Sequence, residues 1–595
     1  NYLLSWFKIR IMKISIFLIC LLINFNFYAQ VLTSDRSTDW TIAGLNDTST
    51  LNFTHYDFQS YGGIGDGITP NDLVLDSILS LITTGAIIDF PSGDFLFNSQ
   101  IALSDNIVLR GDGAESTTIK IDLGGSSHGI IVHGTQISSD TSSFLNAATK
   151  DSNFIEVIDA SSFNIGDWVR IIQDDASFIT SSWANGSVGQ IVQISAITNN
   201  TIYFASPLRL NYNLTLNPYI KRINPIKNVG IECLKILRID DTDPEQTSNI
   251  HYSRAVNCWI NGIESEDCNY SHVKAEYSSN LHISKSYFHH GFDYGSGGKA
   301  YGVMLHFVTN ECMVENNIFE HLRHSMIVQA GANGNVFAYN YSFDPHRSAV
   351  PYNSSGEIVL HGNYPYLNLF EHNMCRNIII DDSHGPNGNY NTFFRNRADL
   401  YGIIITTTNS PNQNIIGNEI TYDVFPINLV NYDMSGNNHF LYGNNDKGTI
   451  DPSGTSNLPD SSYAYLTRPD YIPVSSWVSI GTPNIPDQGD VPAYNRYVAS
   501  DIFDGACEPI DFTDIDSYNY SFKIYPNPTN GIINIESLNT LTNVSHIHLL
   551  DSKGVLIMEL STKEKKIDLT RYVSGIYFVM INHEGGSARI KVIKQ

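Results

Sequence analysis

Eight times between Asn228 and Asn412 an asparagine opens a short strand-like stretch: "NVGIECLKI" (228), "NCWINGIES" (257), "NLHISKSYF" (280), "NECMVENNIF" (310), "NVFAYNYSF" (335), "NLFEHNMC" (368), "NTFFRNRA" (391) and "NQNIIGNEI" (412). The gaps are 29, 23, 30, 25, 33, 23 and 21 residues; the short ones define a unit and the longer ones carry a loop insertion. Apolar and polar residues alternate at strand period within each unit, with Asn and Gly at the bends. A unit of about 22 residues with two or three short strands cannot bury its own inward face, whereas units stacked at ~4.8 Å per coil bury a continuous core. Asn at a recurrent turn tolerates a left-handed backbone and hydrogen-bonds along the stack. The spacing predicts an all-β chain folded as a right-handed parallel β-helix, with Asn280, Asn310, Asn335, Asn368 and Asn391 at equivalent turns. A propeller would need a longer repeat of four strands.

Stacking also accommodates the length. The chain has 595 residues and 42% apolar composition, more than a single globular core of ~250–300 residues holds. Its net charge of −25 excludes nucleic acid as a partner, because phosphate binding needs a basic surface. Any anionic ligand must then meet a locally positive groove on an acidic body. The stretch "MKISIFLICLLINFNFYAQ" (12–30) reads as a secretory signal peptide starting at Met12 and ending at Ala29, so residues 1–29 are leader and 30–54 an N-terminal linker. No later segment is long and apolar enough to span a membrane. Six cysteines follow the leader (Cys233, Cys258, Cys268, Cys312, Cys375, Cys507) without CxxC or metal spacing, and read as small core hydrophobes.

Upstream, "HYDFQSYGGIGDGITPNDLVLDSILSLI" (55–82), "IIDFPSGDFLFN" (87–98) and "NIVLRGDGAESTTIK" (106–120) resemble the opening of the pectate-lyase-like β-helix superfamily. The resemblance implies a turn leading to a short capping helix, then the first coils, within a β-helix domain over 55–510. Lyases, hydrolases, epimerases and phage tailspikes share this opening, so it specifies fold more than reaction. The period breaks between His133 and Asn224, where "DASSFNIGDWVRIIQD" (159–174) and "VGQIVQISAITNNTIYFASPL" (188–208) read as hairpins of a small β-barrel inserted at about 138–222. Such an insert walls one end of a groove or packs on it. After residue 444 the chain is rich in Pro, Ser and Asp, as wrapping loops or a linker are. Beyond a linker at 511–520, "YPNPTNGIINIES" (525–537), "IDLTRYVSGIYFVMI" (567–581) and "ARIKVIKQ" (588–595) resemble the β-sandwich-like C-terminal sorting domain (521–595) read by the type IX secretion system. That resemblance implies that the tail is an address, partnered by the secretion machinery, and that the protein is secreted or held at the cell surface. A monomer is expected.

Twelve of the 19 histidines lie between His251 and His384. Counting back from each strand-opening Asn places His306, Gln329, His361 and His384 as one ladder along successive coils. Two imidazolium charges ~4.8 Å apart would repel by roughly 3 kcal/mol at an effective dielectric of about 20, so at least one member must be neutral. Around the ladder, Asp293, Lys299 and Tyr301 stand on a glycine-rich loop, Arg323 precedes His324, Glu357 precedes His361, Tyr364 follows it, and Asp381 and Asp382 precede His384. β-Helices also stack like residues for packing alone.

Two chemistries fit such a groove. A lyase acting on an anionic polysaccharide needs a base and cationic or amide clamps; His324 and His361 are the candidate bases, with Arg323 holding charge and His384 and Asp382 completing the centre. His306, Gln329, Lys299, Asp293, Tyr301, Glu357, Asp381 and Tyr364 would line the substrate. A glycoside hydrolase needs two carboxylates, for which Asp381 or Asp382 with Asp293 or Glu357 could serve. The chain resembles polygalacturonase-type hydrolases only in part: "DDSHG" (381–385) compresses an Asp pair and a His onto one coil, and no Arg-Ile-Lys follows. No Asp-rich calcium cluster occurs, and no cofactor is expected. The lyase is favoured, with the hydrolase next, and an epimerase or non-catalytic glycan-binding β-helix as further alternatives. Deleting residues 521–595 should leave the melting temperature and activity of the remainder unchanged while abolishing delivery to the cell surface, measured by surface labelling of cells.

Overall fold

The computed structural model describes residues 31–45, 53–240, 246–295, 297–472, 476–484, 486–507, 522–527, 529–537, 544–551, 556–561, 565–583 and 586–594. The leader at 1–29 and the linker at 511–520 lie outside them. Parallel strands form a solenoid with three faces. A 12-stranded parallel sheet runs from Thr54–Asp57 to Phe440–Tyr442. A second face includes Lys235–Arg238, Glu264–Glu266, Tyr287–His289, Ile318–Glu320 and Tyr341–Phe343. The third stacks Ile130–His133, Ser248–Ser253, Ser271–Glu276, Tyr301–His306, His324–Val328, Ile358–Leu360 and Met374–Ile380. The chain is a right-handed parallel β-helix, the hand that parallel crossovers take.

The N-x-F-x-x-N motif explains how coils stay in step. Its second Asn builds a ladder: the side-chain amides of Asn317, Asn340, Asn373, Asn396 and Asn418 each donate to the Oδ1 of the next, ending at Asn444, over 2.9–3.1 Å. Each Oδ1 from Asn340 onward also accepts the backbone N–H of the Asn before it. Its first Asn builds a shorter ladder through Asn335, Asn368, Asn391 and Gln413. Between the ladders Phe337, Phe370 and Phe393 stack with centroids 4.9 and 5.1 Å apart, one ring per coil.

Asn280 and Asn310 occupy the same turn as Asn335 but not the same column. Asn280 takes the left-handed position (φ +54°) and its amide donates to Gly44 O. Asn310 is two residues back from the Asn335 position in register, bridged to Asn333, with its amide paired to the backbone of Ile191. Both side chains are taken up by segments outside the coils, so the five share the expected turn but only Asn335, Asn368 and Asn391 share one amide column.

The helix Asp72–Leu81 caps the first coils and buries Leu75 and Ile78. Strands from Thr135–Ser143 to Tyr219–Asn224 form the inserted six-stranded antiparallel sheet, curled into a barrel-like unit by the Phe144–Val157 bridge around Val169, Ile171, Val192, Phe204 and Leu208. The segment 159–174 supplies one strand, Trp168–Ile172, rather than a hairpin, and it pairs with Gly189–Thr198 and Tyr219–Asn224. The described residues between 456 and 507 form a strap against the coils: Glu371 accepts from Tyr463 N, Arg395 donates to Ile480 O and Arg496 to Asn316 O. Residues 31–45 also lie on the coils, with Trp40 Nε1 donating to Leu367 O at 2.7 Å. Two antiparallel sheets at 522–594 enclose Ile533, Ile547, Leu549, Val579 and Ile581. No helix among the described residues is long and apolar enough to cross a membrane.

Replacing Asn373 by Ala strands the Asn340 backbone N–H and one amide proton, both now satisfied at 2.9–3.0 Å. At about 1–3 kcal/mol per buried unsatisfied group, the variant should lose about 2–5 kcal/mol in denaturant unfolding.

Candidate active site

On the third face, alternate residues point inward: Val273, Ala275, Val303, Leu305, Met326, Val328, Ile358 and Leu360 all join the core. The residues between them face out, as strand geometry requires. Glu276 pairs with His306. Gln329 follows Val328, His361 follows Leu360 and Asp381 follows Ile380, and those three predecessors are paired in register. One outward row therefore reads Glu276, His306, Gln329, His361, Asp381 along the axis. The expected fourth member, His384, is displaced by Asp381 and sits on the turn beyond, its ring 5.0 Å from that of His361. Beside the row Met304, Ile327 and Val359 form an apolar strip packed with Tyr270 and Tyr301.

His361 Nδ1 pairs with Asp381 Oδ2 at 2.9 Å, which fixes the ring and leaves Nε2 for a ligand. Burial raises the Asp381 carboxyl, but the His361 hydrogen bond and charge outweigh it, and the group stays ionised. Gln329 donates to the His361 carbonyl oxygen at 2.9 Å. His324 lies one coil from its register partner Tyr301, rings 4.9 Å apart, and 5.7 Å from His361. Its Nδ1 faces the Gly356 carbonyl oxygen at 2.7 Å, so Nδ1 carries the proton and Nε2 the lone pair. Burial, then the His361 and Arg323 charges, depress its pKa to about 3. His306 is buried with neither nitrogen partnered, and burial holds it well below the usual histidine range. His384 is lowered too, by burial and then by His361. Arg323 donates to Gly295 O at 2.7 Å and so anchors the glycine-rich loop, on which Lys299 and Asp293 pair with each other at the surface.

Three sequence candidates do not face the row. Glu357 points between coils, fully buried, accepting from Ser342 Oγ at 2.8 Å and Asn377 N at 3.0 Å; burial pushes its pKa up to about 8. Asp382 turns to the loop of the next coil, accepting from Thr407 Oγ1 at 2.6 Å and Asn409 Nδ2 at 2.9 Å. Tyr364 packs on Phe178 of the insert, centroids 4.8 Å apart, and lines a cleft of about 290 Å³ with Lys150, Gln173 and Arg209.

Four residues of the region escaped the sequence reading. Glu276 stands four before Asn280 as His306 stands four before Asn310, so the same counting rule reaches it. With Lys274 at 3.1 Å and His251 at 3.4 Å it forms a charged end to the row. Burial opposes its ionisation, but those two partners lower its pKa strongly. Trp183, on the insert, reaches His306 and His384 at 5.6 and 5.4 Å, so the insert walls the row rather than merely packing nearby; no coil periodicity signals it. Among the described residues one group has metal-ligand spacing, Glu264, Glu266 and His289, on the second face, and there Lys235 Nζ already lies 2.8 Å from Glu264.

The neutral histidines tie stability to pH. His272 and His324 are depressed to about 3, each chiefly by burial, below the unfolded value near ~6.5. Between those values the unfolded chain binds more protons than the folded one, so stability is lost as pH falls below ~6.5, at up to about 1.4 kcal/mol per pH unit for each such histidine. The melting temperature should fall steadily from neutral to mildly acidic buffer; a flat profile would show that the fold accepts those protons.

Residues 57–207 match the family model for rhamnogalacturonase A/epimerase, pectate lyase-like proteins, and residues 523–595 that for the secretion system C-terminal sorting domain. No curated protein matches the chain. Among solved structures, the gp49 tailspike from Pseudomonas phage LKA1 is 16% identical with a TM-score of 0.46, covering 62% of this chain and 64%, less than two thirds, of its own. The gp54 tailspike of Acinetobacter baumannii bacteriophage AP22, solved with a capsular saccharide, is 15% identical with a TM-score of 0.34, covering 62% and 76%. The A-module of the Azotobacter vinelandii mannuronan C-5 epimerase AlgE6 is 11% identical with a TM-score of 0.29, covering 65% and 96%. The chain is a pectate-lyase-like parallel β-helix exported to the cell surface or medium by a C-terminal sorting domain of the type IX secretion system.

Proposed function

We propose that the row is the reaction centre of a metal-independent lyase that cleaves an anionic polysaccharide by β-elimination. The observation that carries this is geometric: Asp381 holds the His361 ring through Nδ1 at 2.9 Å and leaves Nε2 to a ligand, and the two carboxyls of the row, Glu276 and Asp381, stand far apart along the stack. A glycosidase needs a protonated carboxyl and a second carboxylate ~5–9.5 Å away. Glu276 and Asp381 are both ionised and four coil steps apart, about 19 Å along the axis at ~4.8 Å per step. Glu357, whose carboxyl is raised, is sealed inside the coil.

In this reading His361 Nε2 takes the proton from the ring carbon next to the substrate carboxylate. The electrons of that C–H bond form the new C=C bond, and the neighbouring glycosidic C–O bond breaks. The imidazolium, stabilised by Asp381 through Nδ1, returns the proton to the leaving oxygen. Arg323 offsets substrate charge, His324 and Gln329 position sugar hydroxyls, and Trp183 closes the row from above. Lys299 and Asp293 would line the outer approach.

Removing a general base costs about 10²–10⁴-fold in turnover, so His361→Ala should lose that much while melting within a few degrees of wild type. Asp381→Asn, which removes the orienting partner, should lose about 10–100-fold. The assay is release of ultraviolet-absorbing unsaturated uronate from a panel of plant and algal polyuronates. New reducing ends without that absorbance would replace the lyase by a hydrolase. Solvent deuterium incorporated into intact chains would identify an epimerase, and binding without either a glycan-binding module.

A further inference from the structure

Two thiols far from the row in sequence meet on a solenoid turn. Cys233 closes the strand Gly230–Glu232 in a left-handed conformation (φ +54°). Gly262 holds the same place on the next coil (φ +62°), because Glu232 pairs with Asn261. The end of the strap lies flush on this turn: Asn261 Nδ2 donates to Ala506 O at 2.7 Å and Lys285 Nζ to Gly505 O at 2.8 Å. A β-carbon on Gly262 would stand 2.8 Å from the Ala506 carbonyl oxygen. This packing sets Cys507 Sγ 3.8 Å from the Gly262 carbonyl oxygen and brings it into hydrogen bonding with the Cys233 thiol. Cys258, Cys268, Cys312 and Cys375 are buried, whereas Cys507 is half-exposed and open to a reagent.

We propose that Cys233 and Cys507 become a disulfide during export, riveting the strap to the solenoid just ahead of the sorting domain. The oxidant is the disulfide of a protein thiol–disulfide oxidoreductase in the compartment the chain crosses. The Cys507 thiolate attacks one oxidant sulfur and expels the other, which takes up a proton. Cys233 then loses its proton, attacks Cys507 Sγ and expels the second oxidant sulfur, which is protonated in turn. Two electrons pass to the oxidant, which ends as a dithiol, and one sulfur–sulfur bond forms. The hydrogen bond already favours this order, because it lowers Cys507 and raises Cys233, and the thiolate is the attacking species. The bond draws the two sulfurs to the ~2.05 Å of a disulfide.

The test uses the protein as exported from cells, alkylated at harvest. Non-reducing peptide mapping should give one cross-linked pair containing Cys233 and Cys507, and the denatured protein should titrate four thiols of the six described. Six thiols, or a cross-link between other cysteines, would overturn the assignment. Dithiothreitol should lower the melting temperature of the wild type by several degrees and leave Cys507→Ser unmoved. Equal shifts in both proteins, or none in the wild type, would overturn the rivet.

Discussion

The side-chain amide of asparagine can accept from the coil before it while donating to the coil after it, and six of them in file set the geometry of this protein. Each Oδ1 from Asn340 onward takes two donors, a backbone N–H and an amide proton, so neighbouring coils cannot slip without stranding buried polar groups. Because a one-residue slip in a strand exchanges its faces, the ladder also decides which side chains reach solvent. The row from Glu276 to Asp381 is an outcome of that register. Its members are 20 to 32 residues apart in sequence yet one coil step apart in space.

The electrostatics of the row follow from its cover. Tyr270 and Tyr301 beside it, and Trp183 above it, exclude water from imidazoles that would titrate near neutrality in the open. His306 has neither a hydrogen-bond partner nor access to bulk water, an expensive state for a polar ring unless something else binds there. His361 alone among the row's histidines is hydrogen-bonded to a carboxylate, whereas His324 beside it turns Nδ1 to a backbone carbonyl oxygen. An acidic chain thus keeps buried imidazoles in their neutral form along one face of the solenoid.

The solenoid was legible because its determinants are local and repeated: the Asn, the alternation and the gaps appear in every unit. The row was mostly legible for the same reason, since counting from Asn310, Asn335 and Asn368 finds His306, Gln329 and His361. Counting failed at His384 because the turn between Ile380 and Asn391 is longer than its neighbours, which moves Asp381 into the fourth place. Glu357 misled because a bend at the strand's start turns it inward, a reversal that alternation does not encode. Asp382 misled because proximity in sequence to a histidine says nothing of which loop its carboxylate caps. Asn280 and Asn310 broke rank because segments hundreds or scores of residues away claim their amides, and Trp183 belongs to such a segment. Long-range partners leave no period to read.

The insert leaves and rejoins the solenoid at one point: Thr135 pairs with Asn224 across its two ends. The chain therefore re-enters the stack where it left it, and the coils on either side meet as though nothing lay between them. Away from the few contacts that tie the insert to the coils, such as the Ile191 backbone on Asn310, it can lengthen, shorten or change sequence without disturbing the amide files below. Descendants of this protein can thus trade what closes over the row while inheriting the row itself, so the cover and the row beneath it can diverge at separate rates.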